Sequence, residues 1–550
     1  MSTSREAAGD NGGSVGSAAS ETVAEPGGGT KTGDAGSRCL EALIVAVNQA
    51  SDMRHWYTTT KEMQLASSEL CEACRGAHTV HLRVDVDIPN TLLATADASP
   101  ADPRGGVSAR VPRLRAYRVT WKLPTVELLS NPIPTFAALE ELYFGGEFTG
   151  TLEVRAWPRS LRVMTFPTLS RFNQPIVGVT WPASLQELKF GCRFDQPIEG
   201  VKWPACLQKL VFITTFNQPI HLVVWPGSLR QLVLGQTFNL TIESVKWPES
   251  LQELEFWGDF NQPIEGVTWP ATLRLLAFGY AFNQPIEGIQ WPTTLQFLTF
   301  GNQFNQPIEG VTWPTSLKVL AFGNAFNQPI DGISWPLDVR GLEFGSGFNQ
   351  PIEGATWPTR LERLTFGRDF NQSIRGITWP MSLQQLNFGR DFDQPIGNVK
   401  WPTSLRHLAF KRDFNQPIDK VAWPALLQQL TFGAAFNRPV ERATWPLSLE
   451  KLAFGHEFDQ PILGGEWPVS LRRLTLGENF RQSLRKLGTA MPALEHLEIQ
   501  VRHDPARYSF LREIEWPVGL THLTVGGNAH LEGMLIPECV TVIRHSVHHC

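Results

Sequence analysis

Trp291-Pro292-Thr293-Thr294-Leu295-Gln296-Phe297-Leu298-Thr299-Phe300-Gly301-Asn302-Gln303-Phe304-Asn305-Gln306-Pro307-Ile308 is one unit of a repeat that decides the fold. Its opening Trp-Pro returns every 22 residues, fourteen times, from Trp181 to Trp467 without insertion or deletion. A fixed period of this size marks a solenoid, in which each unit buries its apolar face only against its neighbours. Within the unit, alternation places Leu298 and Phe300 on one face of a short strand, with Phe297, Thr299 and Gly301 on the other. Two prolines per return path, such as Pro307 and Pro314, exclude a long helix there. Extended, polyproline-like or short 3₁₀ chain is expected instead.

Working outward, looser units flank the regular ones. Leu114-x-x-Tyr117-x-Val119, Leu139-x-x-Leu142-x-Phe144-Gly145 and Leu161-x-x-Met164-x-Phe166 precede them, and Leu494-x-x-Leu497-x-Ile499 and Leu520-x-x-Leu523-x-Val525-Gly526 follow. The expected total is about 19 coils, with drift at both ends as caps require. The block close to Phe-Asn-x-x-Ile, joined to Leu-x-x-Leu-x-Phe-Gly, resembles the FNIP repeat, a variant of the leucine-rich repeat. The resemblance covers residues 114–535, with Trp-Pro where FNIP repeats more often carry Leu-Pro or Ile-Pro; Ile536-Pro537 has the commoner form. It implies a leucine-rich-repeat-like solenoid used for protein–protein contact. Some relatives add a kinase or F-box region. No Gly-rich kinase loop or His-Arg-Asp loop stands in this sequence, and Ile88-Pro89-Asn90-Thr91-Leu92-Leu93 is a poor F-box echo.

Four segments are expected. Residues 1–37, rich in Gly, Ser, Ala and Thr, read as a disordered tail. Residues 38–113 read as an α+β region or cap: a helix through Leu40, Leu43, Ile44, Val45 and Val47, a second through Met63, Leu65, Leu70 and Cys71, and a strand alternating at Val80, Leu82, Val84 and Val86. Residues 114–535 form the solenoid, and 536–550 a C-terminal tail. The net charge of −5 supplies no basic field for nucleic acid. The 7 scattered Cys argue against a disulfide framework. No apolar run is long enough for a membrane span, and the first residues lack the apolar core of a secretory signal. A cytoplasmic protein is the expectation.

Candidate sites arise where the repeat carries chemistry or departs from its pattern. The Trp column reads as buried core rather than as a stacking array for sugars or bases. Asn follows Phe in eleven of fifteen units, with Asp195, Asp393, Asp459 and Arg481 in the others. These side chains are expected to hydrogen-bond successive turns, Asp less completely because it cannot donate. Four residues before Trp runs an acidic stripe, unbroken through Glu243, Glu265, Glu287, Glu309, Asp331 and Glu353. It reads either as solvated charge that blunts edge aggregation or as a site for a basic partner or divalent cations.

On the outward strand column, Leu275, Phe297 and Val319 interrupt a polar series, with small companions at Ala277, Thr299 and Ala321. Arg363, His407, Lys411 and the row Arg368, Arg390, Arg412 follow, with Asp369, Asp391 and Asp413 beside that row. Repeat drift with a self-satisfied Arg/Asp network is one reading. A partner-binding site at Leu275, Phe297, Val319, Arg363 and His407 is the other. Cys71, Cys74, His78 and His81 are too closely spaced for a zinc finger, and His545, His548, His549 and Cys550 form a second weak cluster, so neither metal nor cofactor is assigned. No Ser/His/Asp set, phosphate loop or paired-carboxylate site stands out from the periodic background. The expected function is a non-enzymatic scaffold or adaptor that binds a protein along the solenoid. A cation- or glycan-binding module using the acidic stripe or aromatic positions is the alternative.

Overall fold

Each Leu-x-x-Leu-x-Phe run forms one short strand, because its alternate apolar side chains can all be buried on a single face. A computed structural model describes residues 139–152, 157–500, 513–526 and 535–545, with backbone alone for 81–84, 115–121 and 545. The chain divides into two compact units, residues 1–80 with 102–113 and residues 81–101 with 114–550; every described residue belongs to the second. The sequence readings for residues 1–80, including both helices, Cys71, Cys74 and His78, lie outside the described residues, as do His548, His549 and Cys550.

The described residues hold 21 strands. The first seven are β1 (His81–Val84), β2 (Arg115–Trp121), β3 (Glu141–Phe144), β4 (Val163–Thr165), β5 (Glu187–Lys189), β6 (Lys209–Val211) and β7 (Gln231–Leu234). Next come β8 (Glu253–Phe256), β9 (Leu275–Ala277), β10 (Phe297–Thr299), β11 (Val319–Ala321), β12 (Gly341–Glu343), β13 (Arg363–Thr365) and β14 (Gln385–Asn387). The last are β15 (His407–Ala409), β16 (Gln429–Thr431), β17 (Lys451–Ala453), β18 (Arg473–Leu476), β19 (His496–Ile499), β20 (His522–Gly526) and β21 (Thr541–His545). Each pairs in parallel with the next in sequence, so chain order is spatial order. The 19 expected coils correspond to β2–β20. β1 adds a strand within 38–113, and β21 carries the ladder into the stretch 536–550 read as a tail, with Val542 paired to Leu523.

Register is strict: Phe297 pairs with Leu275 on one side and Val319 on the other. Equivalent side chains therefore stack in columns. Leu298, Phe300, Phe304, Ile308, Val311, Trp313 and Leu317 are all buried in one unit. Burying such a side chain stabilises by about 1.5–3 kcal/mol. Phe300 and Phe304 stack with centroids 4.2 Å apart, and Phe304 lies 6.1 Å from Phe326 of the next coil. Two aromatic files thus run side by side through the core.

The return path is extended chain broken by three isolated turns. Phe304 N–H donates to the Gly301 carbonyl at 3.1 Å, Val311 to Ile308 at 3.4 Å, and Leu317 to Pro314 at 3.1 Å. No 3₁₀ run forms among the described residues. In this unit the middle turn has a left-handed third residue, Gly310 at φ 75°. Helix is limited among the described residues to one turn, α1 (Leu487–Ala490), where the spacing drifts near the C-terminal end.

Two sequence expectations are corrected here. Gly301 is buried rather than outward, because a Cβ there would collide with the Gly279 carbonyl oxygen of the preceding coil. The glycine column marks where backbones touch. Aspartate, meanwhile, serves the Asn ladder as completely as asparagine. Asn327 N–H donates to Asn305 Oδ1 at 2.9 Å and Gln328 Nε2 donates to the same atom at 3.0 Å. Asp393 Oδ1 takes the equivalent bonds from Asn415 N–H at 2.8 Å and Gln416 Nε2 at 2.9 Å. The ladder uses only acceptor capacity, which both side chains have.

Candidate interaction surface

The Trp column is core, as its periodicity suggested. Trp313 is 7% exposed, and neighbouring indoles such as Trp357 and Trp379 stack with centroids 6.0 Å apart. From Trp181 to Trp445 the column's Nε1 atoms find no protein acceptor. With most of their area buried, the column's rings serve packing between coils rather than an open stacking surface for sugars or bases.

The acidic stripe takes the second position of the middle turn. Glu243, Glu265, Glu287, Glu309, Asp331 and Glu353 are all exposed. Among the described residues no three His, Cys, Asp or Glu side chains are grouped to hold a metal ion. Arg368, Arg390 and Arg412 each lie 3.6–3.8 Å from the following Asp369, Asp391 and Asp413, partly neutralised within their own turns. Such exposed pairs contribute little to stability.

The outward strand column brings Leu275, Phe297 and Val319 together on β9, β10 and β11. Phe297 is 41% exposed, whereas Leu275 and Val319 are half-buried rather than fully exposed. At one strand spacing the larger phenyl ring shields its neighbours. Beyond Val319 the column drops to Gly341, and Arg363 folds back across the gap. Its Nη2 would lie 3.6 Å from a Cβ at Gly341, and Val319 Cγ2 3.5 Å. Arg363 thus caps the apolar strip. His407 on β15 stands two strands further on, half-buried and apart from the trio. Burial, with Lys451 and Arg406 nearby, holds its pKa below the usual 6.5.

Sequence reasoning missed two members of this surface. Trp257, 37% exposed, takes the place of a column glycine just after β8, and Tyr280, 55% exposed, sits in the following coil's turn. Trp257 Nε1 donates to Glu255 Oε2 at 3.1 Å, and Gln303 Nε2 donates to Tyr280 Oη at 3.2 Å. Directly after Trp257 the backbone turns through a left-handed Gly258 at φ 63°. The available signal was a tryptophan off the 22-residue register. A second missed feature is structural: the Ser or Thr three residues after Trp-column positions donates to the preceding coil, as Ser316 Oγ does to the Leu295 carbonyl at 2.7 Å.

Parallel in-register coils around twin Phe files define a leucine-rich-repeat-like solenoid, a fold typical of protein-interaction scaffolds. The FNIP Repeat model matches residues 172–212, 216–259, 260–303, 304–347, 348–391, 370–413 and 414–457, and the chain belongs to that family. Among solved structures it is similar to CroV588, described as a novel circular LRR protein, at 34% identity and TM-score 0.62. That match covers 76% of this chain and 66% of CroV588, slightly less than two thirds of its length. An internalin (inlF) from Listeria monocytogenes str. 4b F2365 matches at 15% identity and TM-score 0.32, over 57% of this chain and 81% of that one. A leucine-rich repeat protein from Bacteroides ovatus ATCC 8483 matches at 10% identity and TM-score 0.15, over 82% and 100%. No curated protein matches the chain. Among the described residues no helix is long and apolar enough to cross a membrane.

Proposed function

We propose that this protein is a non-enzymatic scaffold that grips a protein partner on the strand-formed face, centred on Phe297. The observation that carries this reading is the clustering of departures from the repeat. Folding explains residues that recur every 22 positions; it does not explain Leu275, Phe297, Val319, Trp257 and Tyr280 converging on one exposed stretch of neighbouring coils. Contiguous exposed apolar surface is seldom kept by a monomeric protein without a use. Aromatic residues are enriched in interface cores, and Arg363 supplies a charged margin.

Phe297→Asp tests the proposal. The side chain lies outside the inter-coil core, so the variant keeps the melting profile of the parent while capture of the partner in a pull-down is lost. Unfolding of the variant would make Phe297 ordinary packing. Capture that survives in the folded variant would move the grip elsewhere, first to the acidic stripe from Glu243 to Glu353.

A further inference from the structure

Resting on that reading, we infer that the segment seated on this surface is an amphipathic α-helix with carboxylates along one flank of its apolar stripe. Spacing is the first argument. Leu275, Phe297 and Val319 stand one per strand in register, so at about 4.8 Å per strand the strip runs roughly 9.6 Å along the solenoid. Helical positions i, i+4 and i+7 span about 10.5 Å at 1.5 Å per residue, placing one side chain against each coil. An extended segment in the same direction repeats its same-face side chains every ~6.7 Å and is out of step by the third coil.

Charge is the second argument. Arg274, Lys318 and Arg340 stand exposed at the entry to β9, β11 and β12. Arg340 pairs with Glu362 at 3.2 Å. Lys318 Nζ donates to neutral Gln296 Oε1 at 3.0 Å, and neither Lys318 nor Arg274 has an ion-pair partner among the described residues. On the other flank, Ala277, Thr299 and Ala321 carry no charge. The strip is therefore positive along one side only, complementary to a helix whose acidic residues lie on one flank.

The ends supply the third argument, and they set polarity. Glu253 and Glu255 bound the strip at β8; Arg363 caps it from β13, with Glu343 one column over. Glu255 is engaged by Trp257 Nε1 and, at 3.4 Å, by Gln231 Nε2. A helix carries partial positive charge at its N-terminus and partial negative charge at its C-terminus. Its N-terminus accordingly lies toward Glu253 and its C-terminus toward Arg363.

Panning a phage-displayed library of random peptides, roughly four helical turns long, on the full chain tests this. Enriched peptides are expected to carry apolar residues at i, i+3 or i+4, and i+7, with Asp or Glu along one flank. They should gain helical circular dichroism on binding and bind Phe297→Asp at least about tenfold more weakly, a difference of about 1.4 kcal/mol. An Arg274→Glu/Lys318→Glu double variant should exchange the flank preference to Lys and Arg. Phe297-dependent peptides with i, i+2 spacing, or with affinity indifferent to the double variant, would overturn the acidic helix and leave the surface standing. Absence of any peptide sensitive to Phe297→Asp would overturn the surface itself. Folding of both variants is checked by circular dichroism.

Discussion

The Asn305 side chain contributes to the solenoid through its carbonyl oxygen. Its Oδ1 takes the backbone N–H of Asn327 and the Nε2 of Gln328, a geometry that a carboxylate oxygen reproduces at Asp393. Asn305→Asp should therefore change stability by less than about 0.5 kcal/mol, the range of an innocuous substitution. Asn305→Leu leaves the Asn327 N–H without an acceptor in a half-buried turn, and should cost about 1–3 kcal/mol. Urea unfolding of the two variants separates the cases; equal losses would mean that the amide nitrogen matters after all. The same restriction explains what was hidden at residue scale. A sequence shows that Asn recurs, but which of its atoms works depends on how closely the next coil approaches. Gly301 is the sharper instance: its alternation placed it outward, and only the contact with Gly279 makes it buried.

Between β19 and β20, two titratable side chains stand in contact. His496 on β19 pairs with His522 on β20, and their rings stack with centroids 4.4 Å apart. Burial, Arg473 and His522 together lower the pKa of His496 below the usual 6.5, against a smaller opposing pull from Glu495. The sign follows from linkage. Above pH 6.5 this histidine is neutral folded and unfolded, and the shift has no effect. Below 6.5 the unfolded chain takes up the proton more readily, so stability falls as the pH drops toward the folded pKa. His407 acts in the same direction. Melting temperature should thus fall as the pH drops below about 6.5, and His407→Gln/His496→Gln should flatten that slope. An unaltered slope in the double variant would place the acid sensitivity elsewhere. Strands such as β19 were legible from alternation alone, since Leu497 and Ile499 need a buried face. The histidine pair was not, because their contact depends on the register of two coils that follow the strict 22-residue series at irregular spacing.

Among the described residues, strand pairing runs between consecutive strands, from β1–β2 to β20–β21. That order was legible in the sequence because a fixed period leaves each unit no other surface to pack on. The interaction surface was half legible. Leu275, Phe297 and Val319 could be aligned by counting, whereas Trp257 and Tyr280 stand at turn positions outside that column, and only their exposure marks them. One-dimensional packing has a consequence for energetics. Trp→Ala within the column should cost about 3–5 kcal/mol by lost area and residual cavity. Trp357 and Trp379 stack on each other at 6.0 Å, so truncating one removes part of what the other packs against. Their double-mutant cycle should show coupling of about 0.5–3 kcal/mol. Trp203 and Trp423 belong to coils ten units apart, roughly 48 Å at the strand spacing, with no shared neighbour. Their losses should add within about 0.5 kcal/mol. Native-state hydrogen exchange, read strand by strand, measures both cycles without assuming that the whole solenoid unfolds at once. Coupling at the distant pair comparable to that at the stacked pair would show the solenoid behaving as one cooperative block instead of a file of neighbours.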